Sequence, residues 1–154
     1  MKLSEHFSLE EMTKSQTALR LGIDNLPSRD EVDSLTNLCN KILEPVRENY
    51  GVPFTPSSAF RSVELNESIG GSSSSQHCLG EAADIEVPGV SNLVLAWWIR
   101  THLDFDQLIL EFYDETNPSM GWVHVSTVGP ESKSRNRHEV LTYDGGSYEG
   151  GIPG

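Results

Sequence analysis

The chain has 154 residues, 36% of them apolar and 22% charged, with 23 acidic against 11 basic side chains and a net charge of −12. This is the composition of one folded domain with enough chain to bury its own core, which excludes a disordered segment. The acidic balance argues against a surface that grips nucleic acid or anionic lipid, because that binding rests on Lys and Arg displacing counterions from phosphate.

Met1 to His6 is followed by no apolar run of the kind a leader carries, and the most apolar segment, Leu93–Ile99, is broken at Arg100. The expectation is a product soluble and cytoplasmic on synthesis, with no transmembrane segment. Cys39 and Cys78 are the only cysteines; two thiols in unlike surroundings are expected to stay free.

Ser8-Leu9-Glu10-Glu11 has the spacing of a capping box and predicts a short helix. Ser28-Arg29-Asp30-Glu31 repeats it before a stronger one, whose Val32, Leu35, Leu38, Cys39, Ile42, Leu43 and Val46 fall on one stripe. Cys39 is thereby placed in the core. Pro45 is expected to kink the last turns, and Gly51 with Pro53 to end them. From there the pattern turns to short β-prone runs: Phe54–Phe60, Asp84–Val87, Gln107–Tyr113, Trp122–Val128 and Glu139–Tyr143. A helix from Asn92 to His102 interrupts them. Helices first and strands second predict an α+β domain, with N-terminal helices packed on a mainly antiparallel sheet. One domain is expected over residues 1–144, followed by a Gly-rich C-terminal tail over 145–154, read as loose. The Gly70–Ser75 run leads straight into the most informative segment and is read as an active-site loop.

That segment, Ser75-Gln76-His77-Cys78-Leu79-Gly80-Glu81-Ala82-Ala83-Asp84, sets a His and an Asp seven residues apart across a turn-forming glycine. Strand alternation then places Asp84 opposite Ile85, His124 opposite Val123 and Val125, and Glu111 opposite Leu110 and Phe112. Three strands thus share one pattern, apolar towards the helices and acid or imidazole on the other face. Two imidazoles and a carboxylate are the ligand count of a catalytic zinc site, whose fourth position is left open. Hydrolysis at such a site also needs a carboxylate to move the proton, and Glu111 is the candidate. Glu86, two residues past Asp84, is a rival better suited to a supporting place. Ser75 and Gln76 either contact substrate or shape the loop, and Trp122 is placed to wall the cleft. His6, His102 and His138 are read as ordinary structural histidines, and Cys78 as a non-ligand.

Ser75-x-His77-x-x-Gly80-x-Ala82-x-Asp84 with Trp122-Val123-His124 resembles the M15 zinc peptidases, a group that contains D-Ala-D-Ala carboxypeptidases and phage endolysins and shares the hedgehog-domain fold. The compact phage and prophage branch is also similar at Leu3–Phe7, Ser58-x-Phe60-Arg61-Ser62, Phe105–Ile109 and Glu139-Val140-Leu141. The resemblance implies zinc on His77, Asp84 and His124, and an oxyanion-steadying role for Arg61. Many members carry an acid three residues before the second zinc-binding His; here that residue is Gly121, which turns attention to Glu111.

The resulting expectation is a zinc-dependent peptidase that hydrolyses a peptide bond in bacterial peptidoglycan as a phage or prophage endolysin. It is expected to act as a monomer on the wall after a holin-type factor releases it, or as part of a virion. The competing readings are a non-catalytic zinc-binding or virion-structural module, and a bacterial D,D-carboxypeptidase.

Overall fold

Serine caps lay out the N-terminal half of the chain. In the computed structural model, which describes residues 1–154, the Ser8 side chain accepts from the Glu11 amide and Glu11 reaches back to the Ser8 amide, opening α1 (Leu9–Thr13). Ser15 caps α2 (Gln16–Leu21), which Gly22 closes in the left-handed region. Ser28 and Glu31 form the second capping box, at the head of α3 (Arg29–Leu38). Cys39–Leu43 then widens into one π-helical turn, closed by the Glu44 amide on the Cys39 carbonyl, and α4 (Glu44–Tyr50) follows. Pro45 brings no N–H to this ladder, so the expected kink takes the form of a widened turn just before it. Cys39 lies fully buried there, and burial, reinforced by Glu44, pushes its thiol up to about 12.

After α4 come α5 (Val63–Ser68), capped by Ser62, and a 3-10 turn over Gln76–Leu79. Five strands follow: β1 (Ala82–Ile85), β2 (Gln107–Glu111), β3 (Trp122–Ser126), β4 (Glu139–Tyr143) and β5 (Tyr148–Gly150). Helix α6 (Asn92–His102) lies between β1 and β2. The sheet runs β1-β3-β2-β4-β5, antiparallel except for the parallel β2–β4 pair. The fold is α+β with a mainly antiparallel sheet. No helix is long and apolar enough to cross a membrane.

Register sorts the sheet into two faces. Ala83, Ile85, Leu108, Leu110, Val123 and Val125 are buried, in one core cluster with Leu35, Leu38, Ile42 and Val46 from α3 to α4 and with Leu95 and Ile99 from α6. Asp84 pairs with His124, His124 with Ile109, and Trp122 with Glu111, so these residues share the other face.

Two expectations are corrected. Phe54–Phe60 forms no strand: Pro53 and Pro56 cannot donate to a ladder, and only Ser58 bridges Asp84. The segment still buries Phe54, Ala59 and Phe60. Residues 145–154 are not a loose tail either. They turn back as β5 on β4, Ile152 packs on the core, and Trp97 Nε1 donates to the Pro153 carbonyl.

Candidate active site

The 3-10 turn that carries His77 is set by its ends. Ser75 Oγ accepts from the His77 amide, and Gly80 closes the turn at φ +74°, where a Cβ would lie 2.6 Å from the Glu31 carbonyl oxygen. Only glycine allows that approach to α3. The turn delivers a buried imidazole whose Nδ1 lies 2.6 Å from the Ala59 carbonyl oxygen. A carbonyl only accepts, so Nδ1 carries the proton and the Nε2 lone pair faces the cleft.

That Nε2 lies 3.4 Å from Asp84 Oδ1, and His124 Nδ1 lies 3.1 Å from the same oxygen. The donor atoms of His77, Asp84 and His124 all fall within 4.8 Å of one another. Asp84 is anchored by its own backbone, its amide donating to the Ser58 carbonyl and its carbonyl accepting from the Ser57 amide. Burial works to raise the Asp84 pKa, but the His124 and His77 rings set against its carboxylate outweigh burial and hold it well below the usual carboxylate range. Burial lowers the His77 pKa, with Asp84 acting against it. An ionised carboxylate beside a neutral imidazole is the protonation state that a metal ion requires of its ligands. Two nitrogens and one oxygen, one imidazole oriented by a backbone carbonyl, therefore fit zinc chemically.

Glu111 enters from β2. Trp122 Nε1 donates to its Oε2 at 2.9 Å, which fixes the carboxylate across the strand pair. Burial first and the Asp84 charge second raise its pKa, against the opposing pull of His124, Trp122 and Arg61. A carboxyl group poised above its ordinary value is suited to taking a proton and giving it back. Position 121, one strand away, is closed to any acid. Gly121 has φ +75°, and a Cβ there would lie 1.9 Å from the Glu111 carbonyl oxygen.

All eight expected site residues, Arg61, Ser75, Gln76, His77, Asp84, Glu111, Trp122 and His124, line one cleft of about 690 Å³. Arg61 belongs to no ion pair, and its Nε is buried without a hydrogen-bond partner. Gln76 donates to Glu81, a buried carboxylate that also accepts from the Gly129 amide. Glu86 lies outside the cleft; it is exposed and accepts from Asn92. Sequence reading missed Gln107, Ile109, Arg137, Leu141 and Tyr148, which also line the cleft. The first two alternate with Glu111 along β2 and were legible by period. Tyr148 arrives on β5, in the segment expected to be loose.

The other histidines are committed elsewhere. Exposed Glu5 and His6 also cluster with partly buried Glu44, but Glu44 accepts from Ser4 and from the His6 amide and ring, tying the start of the chain to α4. His102 stacks on Trp98 with ring centroids 4.9 Å apart, and His138 pairs with Asp104. Cys78 and Cys39 are both free thiols.

A family model described as Peptidase M15 matches residues 5–126, a span that holds Arg61, His77, Asp84, Glu111 and His124 and leaves β4 and β5 outside. No curated protein matches the chain.

Proposed function

The chain belongs to the peptidase M15 family, and on that premise we propose that it is a zinc-dependent peptidase that cuts a peptide bond of bacterial peptidoglycan, in the role of a phage or prophage endolysin. His77 Nε2, Asp84 and His124 Nδ1 would hold the ion. Zinc at such a site supplies Lewis-acid polarisation of a carbonyl and makes water acidic enough to attack it near neutral pH. Glu111, steadied by the Trp122 indole, accepts the proton of the attacking water and returns it to the departing amine. The Arg61 guanidinium, a cation with no protein carboxylate to satisfy it, donates to the oxyanion that develops on the carbonyl oxygen. Ser75, Gln76 and Trp122 line the path of the peptide, and the open sheet face accepts a backbone that mixes L and D centres.

The observation that carries this reading is the meeting, in one cleft, of a three-donor cluster with a raised-pKa carboxylate and an unpaired arginine. The test is digestion of purified peptidoglycan by zinc-loaded protein, with mass spectrometry of the termini released. New amino and carboxyl termini at one bond type are expected. Release of the terminal D-Ala alone would make the enzyme a D,D-carboxypeptidase. Intact wall across several chemotypes would favour the non-catalytic module.

A further inference from the structure

Arg61 stands between two cavities. On one side is the cleft described above; on the other a second cavity of about 480 Å³ opens along α2, α5 and residues 55–58. Its twelve lining residues include Lys14 and Arg61 and no carboxylate, in a chain with 23 acids against 11 bases. A pocket that keeps two cations and excludes every acid runs against the charge of the whole molecule. Lys14, like Arg61, takes part in none of the ion pairs.

The neutral lining supplies what an anion needs besides charge. Thr17 lines it with a hydroxyl group, as does Ser15, whose oxygen accepts from the Ala18 amide and whose O–H is left to donate, and Leu65 gives an apolar wall. Glu11 accepts from the hydroxyl of Thr55, which lines this cavity, but is already engaged by the Ser8 amide, and it lines a different hollow. A charged donor buried without an acceptor is costly, and the Arg61 Nε is such a donor. The volume suits a side chain or a short stretch of peptide.

We propose that this cavity is a second subsite, which takes a carboxylate of the substrate flanking the scissile bond and makes the enzyme selective for acidic peptides over their amidated forms. The proposal rests on the peptidase reading, since the subsite serves the cleft next to it. Electrostatic complementarity of this kind is expressed in selectivity and is weakened by salt.

The test uses the full chain, zinc-loaded, and two synthetic stem pentapeptides that are identical except that all carboxyl groups are either free or amidated. Cleavage is followed at low and high salt, and equilibrium binding of both peptides is measured in the Glu111→Gln variant. The free acid is expected to bind about tenfold tighter at low salt. Lys14→Gln should bring the ratio between the two peptides close to one, and Lys14→Arg should restore it; Lys14 is exposed, so neither change endangers folding. Equal binding of the two peptides, or a ratio that Lys14→Gln leaves untouched, overturns the proposal. If wild-type protein leaves purified peptidoglycan intact the peptidase reading fails, while the binding arm still decides whether the cavity selects carboxylates.

Discussion

At position 121 the backbone leaves no volume for a side chain. A Cβ built there overlaps the Glu111 carbonyl oxygen at 1.9 Å and lies 2.8 Å from the Phe112 carbonyl carbon and oxygen, and φ is +75°. The Gly121 carbonyl is itself held by Asn92, whose amide also reaches Glu86 and the Met120 carbonyl. The acid that many relatives are expected to carry at this place therefore has no room, and Glu111 lies on the site face of the adjoining strand. Gly121→Asp is expected to destabilise the protein by more than about 2 kcal/mol, combining left-handed strain with a backbone clash. Urea unfolding of the variant measures this directly, and a midpoint equal to that of wild type would contradict the geometry. Residue by residue, the sharing of one sheet face by Asp84, Glu111 and His124 was legible because strand alternation is strict. The tightness at Gly121 was not, because it depends on where β2 ends.

Among the elements, the turn that leads into β4 is held by one side chain. Asp106, buried at 3% exposure, accepts from the Arg137 amide and Nε at 3.0 Å and from Nη2 at 2.9 Å. Burial works to raise its pKa, but Arg137 outweighs that and holds it below the ordinary 3.8. A carboxyl group whose folded pKa lies below its unfolded one contributes stability that is complete above the unfolded value and is lost as pH falls through the folded value. Asp106→Asn is expected to cost about 2 kcal/mol at pH 7, less than the roughly 3–5 of a fully buried pair because Arg137 is half-exposed. The gap between wild type and variant should close below about pH 3.8 in parallel denaturant titrations; a gap constant with pH would contradict the ion-pair account. Helix α6 was readable because its Ser91 cap and its apolar content agree, and β4 because its β-prone run is bounded by polar residues; both have the predicted bounds. The five- and six-residue α1, α2 and α5 are too short to show a period, and only α1 carried a full capping box to announce it. Phe54–Phe60 read as a strand because its apolar content is real, but Pro56 within it and Pro53 just before it leave it with a single bridge.

At the scale of the whole molecule, the site exists only because distant stretches of chain converge. Residues near 61, 77 to 84, 111 and 122 to 124 meet on one sheet face, and β5 brings Tyr148 to the same cleft from the far end of the chain. Composition concealed that last contribution. Five glycines in ten residues suggest a free tail, whereas long-range contacts hold it: the β4 ladder, Ile152 on the core and the Trp97 indole on Pro153. The surplus of acids likewise says nothing about catalysis until the fold sorts it, with Asp84 and Glu111 in the cleft and the second cavity kept free of acids. The central claim is that His77, Asp84 and His124 hold a metal ion while Glu111 moves the proton, so binding and turnover must separate by residue. The measurement is zinc content alongside peptidoglycan hydrolysis for wild type, His77→Ala and Glu111→Gln. The account predicts that Glu111→Gln keeps one equivalent of zinc and loses about 10²–10⁴-fold in rate, while His77→Ala loses the metal itself. Wild-type hydrolysis by fully zinc-loaded Glu111→Gln, or full zinc in His77→Ala, would contradict it.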